Sequence, residues 1–127
     1  MDSLLSFQLI TNEVSIKNNQ LQGEGYKIDP RLTRNVTITE DGHGIVELVL
    51  EIKNTEEKPF PLDIRISLSG LFDISSIPDE SRNDLLNITA VQIMFPYLRS
   101  ILSTVTSGSL FPPIILPIID VRKAFSE

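Results

Sequence analysis

The sequence predicts an α+β fold in which an antiparallel sheet is followed by one long helix and an apolar connector. Apolar and polar residues alternate between Val36 and Ser69, which is typical of strands with one buried and one solvated face. After Ser76 the apolar residues recur every three or four positions, as in an amphipathic helix. Three prolines then fall between residues 112 and 117, which excludes both a regular helix and a central strand. With 127 residues, the chain is expected to form a single domain, residues 1–127.

The predicted sheet contains four strands within the first 75 residues. A three-strand meander covers the alternating segment, with turns at Asp41–Gly44 and Asn54–Lys58. Phe7–Lys17 is the predicted fourth strand, and its alternation changes phase, which suits a β-bulge or a strand whose two halves face different surroundings. The polar connection over residues 18–30 is too long for a hairpin. The alternation is clearest in the last strand, where one face consists of Phe60, Leu62, Ile64, Ile66 and Leu68.

The predicted helix extends from an N-cap at Ser76 to Gly108, which suits the C′ position just after a helix. Pro96 lies inside this helix, where a proline removes a backbone hydrogen bond and costs about 3 kcal/mol. We therefore expect the helix to kink or divide there. A short final helix is expected over residues 120–127, with Val121 and Phe125 on one side.

The composition argues against most catalytic and cofactor chemistry. The chain has no cysteine and one histidine, so it lacks thiolate and multi-histidine metal sites, and no P-loop occurs. Seventeen acids against eleven Lys and Arg give a net charge of −6, which argues against a nucleic acid or an anionic membrane as partner. We expect no enzyme activity, catalytic residue, metal or cofactor. No run approaches about 20 apolar residues, and the N-terminus lacks the basic residues of a signal peptide, so we expect a cytoplasmic protein without membrane insertion.

Four short motifs occur together at a spacing that one protein family shares. Met94-Phe95-Pro96-Tyr97-Leu98-Arg99 is followed by Phe111-Pro112 and by Leu116-Pro117-Ile118, and Gly70-Leu71-Phe72-Asp73-Ile74 lies upstream. This pattern resembles the SecB family of protein-export chaperones, which has Leu-Phe-Pro-Tyr-Ala-Arg, Gly-Thr-Phe-Pro and Leu-x-Pro-Val motifs in this order. The resemblance extends from about Phe7 to Phe125, and residues 70–117 are its specific part.

The resemblance implies a four-stranded antiparallel sheet packed by one long kinked helix and a short C-terminal helix, with a crossover loop between the first two strands. It also implies a homotetramer built as a dimer of dimers. Proteins of this kind are ATP-independent holdases that bind unfolded or non-native polypeptides in apolar grooves, for protein export among other roles. The residues are consistent with this function, because the chain has no nucleotide motif and its apolar, proline-rich connector needs a partner surface.

On this interpretation the client groove is formed by the crossover loop, the connector and the final helix. The residues expected to line it are Leu21, Tyr26, Ile28, Phe111, Ile114, Leu116, Val121 and Phe125. Binding would come from apolar burial, at about 25 cal/mol per Å² before ordering costs.

The sequence departs from the export-type members at the positions that the resemblance implies for docking the SecA motor. Those members present acids in the first and fourth strands, whereas this chain has one acid, Glu13, and two cations, Lys17 and Arg65. By the same resemblance, we expect that no polar tail follows Glu127 and that the connector carries a one-residue deletion near Leu116.

Three functional interpretations follow. The first is a general holdase that serves export with SecA, and the second is a dedicated chaperone of a toxin-antitoxin system, with an antitoxin as partner. The third, from a different class, is a structural or adaptor oligomer whose apolar connector is entirely subunit interface.

Overall fold

The structure, a computed structural model, describes residues 6–21, 26–112, 114–116 and 121. Its sheet has four strands, β1 (Phe7–Asn18), β2 (Arg31–Ile38), β3 (His43–Ile52) and β4 (Leu62–Asp73). All neighbouring strands are antiparallel, in the order β1-β4-β3-β2. The predicted meander and fourth strand are confirmed. The connection between β1 and β2, the crossover loop (residues 19–30), joins opposite edges of the sheet, which is why it is longer than a hairpin turn.

The β-bulge predicted in β1 lies at Asn12. The register with β4 shifts between Thr11 and Glu13, so Asn12 is the extra residue. Its side-chain amide donates to the Ser69 hydroxyl at 2.6 Å, which fixes the bulge against β4. Because of the bulge, Val14 and Ile16 in the second half of β1 lie on the same face as Phe7 and Leu9 in the first half.

The helical segment contains α1 (Asp79–Asp84), a π-helical turn (Leu85–Thr89) and α2 (Ala90–Gly108). The predicted N-cap at Ser76 is wrong, because the helix begins at Asp79 after Pro78 and has no side-chain cap. Pro96 does not divide α2, and the irregular turn lies upstream of it. Pro96 is on the exposed side of α2, where water can bind the carbonyl group that lacks its usual N–H donor.

The π-helical turn packs tightly on the sheet. Leu86 is buried against Gly44, where an added Cβ would lie 2.4 Å from a Leu86 methyl group. The Arg34 guanidinium donates a hydrogen bond of 2.7 Å to the Asn87 carbonyl. The π-helical turn is therefore held at two points. Leu86 packs on the backbone of Gly44, and Arg34 of the edge strand β2 binds the Asn87 carbonyl.

The core lies between the sheet and α2. We call the face of the sheet toward α2 the inner face. As predicted, alternate residues of β3 and β4 point to this face and are buried. These residues are Val46, Leu48, Leu50, Ile52, Leu62, Ile64, Ile66 and Leu68. Phe7 and Val14 of β1 also point to the inner face but stay exposed. Tyr97 of α2 is 53% exposed. The 30-residue helical run from Asp79 to Gly108 is long and apolar enough to cross a membrane by length and composition, but its apolar stripe is accounted for by this core.

The C-terminus of α2 lies beyond the predicted position. Gly108 is still helical, Ser109 is the C-cap, and Leu110 occupies the C′ position with φ +66°. The Leu110 N–H donates to the Ser107 carbonyl at 3.0 Å and the Phe111 N–H to the Thr106 carbonyl at 3.1 Å, which is a Schellman motif. This ending puts Phe111 at C″, where it packs against the core, whereas an ending at Gly108 would put a polar residue near that position.

Two glycine substitutions test this packing. Gly44→Ala is expected to lower the free energy of unfolding by about 1–3 kcal/mol, because the new methyl group collides with buried Leu86. Gly108→Ala is the matched control. No atom lies within 4 Å of the position that its new methyl group would take, and alanine is the better helix former, so stability should rise by up to about 1 kcal/mol. Urea denaturation measures both, and a neutral Gly44→Ala would contradict the packing.

Candidate polypeptide-binding site

The crossover loop exposes apolar side chains beside a cleft. Leu21 and Ile28 are exposed, and Tyr26 is half-buried with its ring 6.5 Å from the Phe60 ring in an edge-on arrangement. Tyr26 and Ile28 line a cleft of about 570 Å³ together with residues 57–59 of the β3–β4 loop. The structure therefore brings two of the three predicted loop residues together.

The connector (residues 110–119) has a buried and an exposed side. Ile114 and Leu116 are buried in the core, as is Val121, so these predicted groove residues cover the helix and sheet and do not present side chains to a ligand. Phe111 is half-buried against the same core. Phe125 lies outside the described residues.

Two exposed connector residues were missed by the sequence analysis. Leu110 is 95% exposed and Ile115 is 70% exposed. For Ile115 the signal was available, because in an extended segment the residue between two buried neighbours points the opposite way. Leu110 gave no local signal, since its exposure follows from its position at C′ of α2.

Leu110 also carries a conformational cost. A left-handed backbone costs a residue with a Cβ about 1 kcal/mol relative to its usual conformation, and glycine is the common residue at C′. An exposed aliphatic side chain at this position contributes nothing to the core in return. Such a residue is a candidate for contact with a ligand.

Two hydrogen bonds hold the connector on α2. The Arg99 side chain donates from Nε to the Leu116 carbonyl at 2.9 Å. The Thr106 hydroxyl accepts from the Ile114 N–H at 2.9 Å and donates to the Leu102 carbonyl at 2.9 Å. These bonds keep the backbone extended and leave the side chain between them, Ile115, directed away from the core.

The predicted motor-docking residues lie on the face of the sheet opposite α2, the outer face. The Arg65 Nε contacts the Glu13 carboxylate at 2.9 Å, and its Nη1 contacts Glu51 at 3.2 Å. The hydrogen bond to Glu13 is the main cause of a raised pKa for Arg65. Lys17 lies directly across from Asp63 in the register. Acidic and cationic side chains are neighbours on this part of the outer face. The negative charge of Glu13 is therefore compensated by Arg65 of the same chain.

Asp63 ties together the ends of two loops at this position. Its carboxylate accepts the Asn54 N–H at 2.8 Å and the Asn19 side-chain amide at 3.2 Å. The pKa of Asp63 is lowered, mainly by the hydrogen bond from the Asn54 backbone and further by the Asn19 amide. The ionised carboxylate therefore stabilises both the β3–β4 loop and the start of the crossover loop.

Among the residues that the structure describes, no group of three or more His, Asp or Glu side chains could hold a metal ion. His43 lies 3.2 Å from the Asp41 carboxylate at the β2–β3 turn, and both are solvent-accessible. What the described site offers is apolar surface on fixed backbone, which suits binding of a chain.

Comparison with known proteins decides the family. A family model described as "Preprotein translocase subunit SecB" matches residues 5–127. The chain belongs to the SecB family. The resemblance given by the motifs around Pro96 and Pro112 is thereby confirmed.

Several relatives are bacterial proteins named protein-export protein SecB. This SecB-family chain is 32% identical to protein-export protein SecB of Orientia tsutsugamushi (strain Boryong) over 102 residues, which is 80% of this chain and 64% of that protein. It is 35% identical to the Granulibacter bethesdensis protein of the same name over 102 residues, 74% of this chain and 60% of that one. The chain spans less than two thirds of the length of these two relatives.

A solved structure shares the fold of this SecB-family chain. It is the Mycobacterium tuberculosis SecB-like chaperone Rv1957 in complex with a ChAD peptide from the Rv1956 HigA1 antitoxin. The TM-score is 0.74 at 15% sequence identity, and the match covers 91% of both chains. At this identity the likeness supports the fold alone.

Removal of the Thr106 hydroxyl tests the attachment of the connector. Thr106→Val keeps the shape of the side chain but leaves the buried Ile114 N–H without its acceptor, so the free energy of unfolding should fall by about 1–3 kcal/mol. Hydrogen exchange at Ile114 should accelerate. Thr104→Val makes the same change at an exposed position of α2 and should alter stability by less than about 0.5 kcal/mol. Equal effects would disprove the attachment.

The lowered pKa of Asp63 gives a pH dependence. A carboxyl whose pKa is lower in the folded than in the unfolded state stabilises the fold above its ordinary value of 3.8, and this contribution is lost as the pH falls through the folded-state pKa. Asp63→Asn should therefore be less stable than the parent chain at neutral pH, and the difference should shrink in acid. Thermal unfolding across this pH range measures it.

The control for Asp63→Asn is Glu57→Gln, in the same loop region. Glu57 is exposed and forms no hydrogen bond or ion pair with any residue the structure describes. Its replacement should not change the pH dependence, and an identical acid profile for both variants would refute the role of Asp63.

Proposed function

We propose that this chain is an ATP-independent chaperone, a holdase, that binds unfolded or non-native polypeptides in the cytoplasm without a cofactor. The observation that carries the proposal is the pair of exposed aliphatic residues, Leu110 and Ile115, on a backbone held by hydrogen bonds from Arg99 and Thr106. Tyr26 and Ile28, which line the cleft beside the β3–β4 loop, provide further apolar surface. Family membership supports the same class of function.

Binding in this proposal comes from burial of client side chains against the connector and the crossover loop. Each contact is worth about 25 cal/mol per Å² of apolar surface, so one site binds weakly. Several sites on one particle raise the effective concentration and make binding tight without strong sequence preference. The net charge of −6 keeps the loaded particle soluble and favours basic clients.

The proposed assembly is a homotetramer, a dimer of dimers. One side of the chain supports it, where Phe7 of β1 and Tyr97 and Ile101 of α2 line an apolar groove of about 410 Å³. The residues from Ser100 to Ser109 carry no charge, which favours packing of α2 against another copy. Assembly through this side leaves the connector end of each chain to clients.

A dedicated chaperone for one partner, such as an antitoxin, is the second candidate. The observation that favours it over export is that Arg65 compensates Glu13, so the outer face lacks the acidic pattern that the resemblance implies for SecA docking. Calorimetric titration of the purified chain with SecA and with a candidate antitoxin separates the two. An adaptor oligomer remains the alternative if Leu110 and Ile115 are buried between subunits.

The double variant Leu110→Ser, Ile115→Ser tests the holdase proposal. Loss of two exposed aliphatic contacts should weaken binding of a fluorescently labelled, reduced and unfolded client about tenfold or more. It should also shorten the delay that the parent chain imposes on client aggregation. Both side chains are exposed, so the fold and the molar mass in solution should be unchanged.

The control is Ile38→Ser, which removes an exposed aliphatic residue at the opposite end of the sheet. A second variant, Leu110→Gly, separates side chain from backbone. It should raise stability by about 1 kcal/mol and still weaken client binding. Unchanged client affinity in the double variant would remove these residues from the site, and an altered molar mass would favour the adaptor interpretation.

A further inference from the structure

Arg99 is the one charged residue in the long apolar part of the chain that contains α2 and the connector. No other Asp, Glu, Lys or Arg occurs between Asp84 and Asp120. The Arg99 side chain is half-buried. A charge that is partly removed from water costs free energy unless a group of opposite charge compensates it. The presence of a cation at this position therefore needs a physical reason.

The guanidinium of Arg99 is only partly used by the chain itself. Within the part of the chain that the structure describes, it forms one hydrogen bond, from Nε to the Leu116 carbonyl at 2.9 Å, and no ion pair. A guanidinium has five N–H donors in a planar fork, so the Nη groups keep their donors for another acceptor. A carbonyl group carries no net charge, and the positive charge of Arg99 is not compensated by it.

Arg82 shows the compensated form of the same arrangement. Its Nε donates to the Ile77 carbonyl at 2.9 Å, as the Nε of Arg99 does to Leu116, and its Nη1 contacts the Asp79 carboxylate at 3.2 Å. Each of these two arginines ties a neighbouring segment to its helix. The carboxylate that completes the Arg82 site has no equivalent at Arg99 among the described residues.

Arg99 lies on the flank of α2 that carries the connector. Thr106, the other residue that binds the connector, is seven positions further along, which is about two helical turns on the same side. Ile115, which is 70% exposed, lies between the two connector residues that Thr106 and Arg99 bind. The guanidinium is thus fixed next to an exposed aliphatic residue of the proposed client site.

The groove proposed for assembly lies on a different flank of α2. Tyr97 and Ile101 line that groove, and each is two positions from Arg99, which corresponds to about 200° of rotation around the helix. A second copy packed on the assembly groove therefore lies on the side of α2 away from Arg99. The partner of Arg99 must come to the connector end.

We propose that Arg99 binds the carboxylate of a client Asp or Glu whose apolar neighbour packs on Ile115. A carboxylate accepts two N–H donors of a guanidinium side by side, and this contact is stronger and more directional than one with a neutral acceptor. This role of Arg99 rests on the holdase function proposed above. It names the client segments that the connector end prefers, which are apolar segments that contain one acid.

This preference is local and differs from that of the chain as a whole. The net charge of −6 acts up to about the Debye length, roughly 8 Å at physiological ionic strength, and favours basic clients overall. Arg99 acts only on a group in contact with it. Because α2 and the connector carry no other charge, it is the ionic partner that a client side chain meets there.

The test uses two labelled peptides and the full chain. The first is acetylated and amidated Ser-Gly-Leu-Ile-Glu-Ile-Leu-Gly-Ser, and the second has Gln in place of Glu. Fluorescence anisotropy measures their affinities. We expect the Glu peptide to bind the parent chain about threefold to tenfold more tightly than the Gln peptide. Added salt should reduce this difference.

Substitution of Arg99 separates a binding role from a structural one. Arg99→Gln should remove the difference between the two peptides, and Arg99→Lys, which keeps the charge without the planar fork, should retain part of it. Thr106→Val loosens the connector at its other attachment and leaves the guanidinium in place. It should weaken both peptides by the same factor, so the ratio of the two affinities should stay that of the parent chain.

Arg82→Gln is the matched control. It removes one positive charge from the chain, as Arg99→Gln does, at a site where the guanidinium already has an acidic partner. The ratio of the two peptide affinities should not change. The double variant Leu110→Ser, Ile115→Ser should weaken both peptides, which locates them at the connector.

Equal affinity of the two peptides for the parent chain would overturn the inference, and it is the result expected if a carboxylate of this chain binds Arg99. A Glu preference that persists in Arg99→Gln, or unchanged binding by the double variant, would overturn it as well. In these cases the holdase proposal stands if the parent chain delays client aggregation. A parent chain that neither delays aggregation nor binds the Gln peptide contradicts the holdase proposal, and the role of Arg99 with it.

Discussion

The structure depends on one constraint, which is that a single helix covers less width than a four-stranded sheet presents. A helix with its side chains is about 10 Å wide, whereas the three spacings between four strands come to about 14 Å before the edge side chains are added. Helix α2 therefore seals the inner face of the two central strands, β3 and β4. It leaves apolar residues of the edge strand β1, such as Phe7 and Val14, exposed.

Two surfaces of this chain expose apolar residues and differ in chemistry. The side of β1 and α2 around Tyr97 is wide and uncharged, which suits another copy of the chain. The connector end presents Leu110 and Ile115 on fixed backbone, which suits side chains of varied sequence. The proposed assembly and the proposed client binding therefore use different surfaces of one small fold.

On the outer face, Lys17 and Arg65 lie at positions where the family resemblance implies acids. Arg65 lies between Glu13 and Glu51 and contacts both carboxylates, so these three side chains form an ion-pair network at one end of the face. The negative charges of Glu13 and Glu51 are thereby compensated. Exposed ion pairs of this kind contribute little stability, so their main consequence is for recognition.

The sequence by itself determined the sheet, its inner face and the absence of a P-loop, because these depend on residues adjacent in the chain. Alternation followed by helical spacing predicted the α+β class, and the motifs around Pro96 and Pro112 predicted the family. The phase change in β1 was compatible with a bulge or with two different surroundings, and the pairing with β4 decided for a bulge at Asn12. Tertiary structure decided that Leu110, and not Gly108, takes the C′ position after α2, because packing of Phe111 on the core outweighs the local preference of glycine for C′. It also decided which connector residues face outward, and that Arg65 contacts an acid 52 positions away, since contacts between distant segments leave no local pattern.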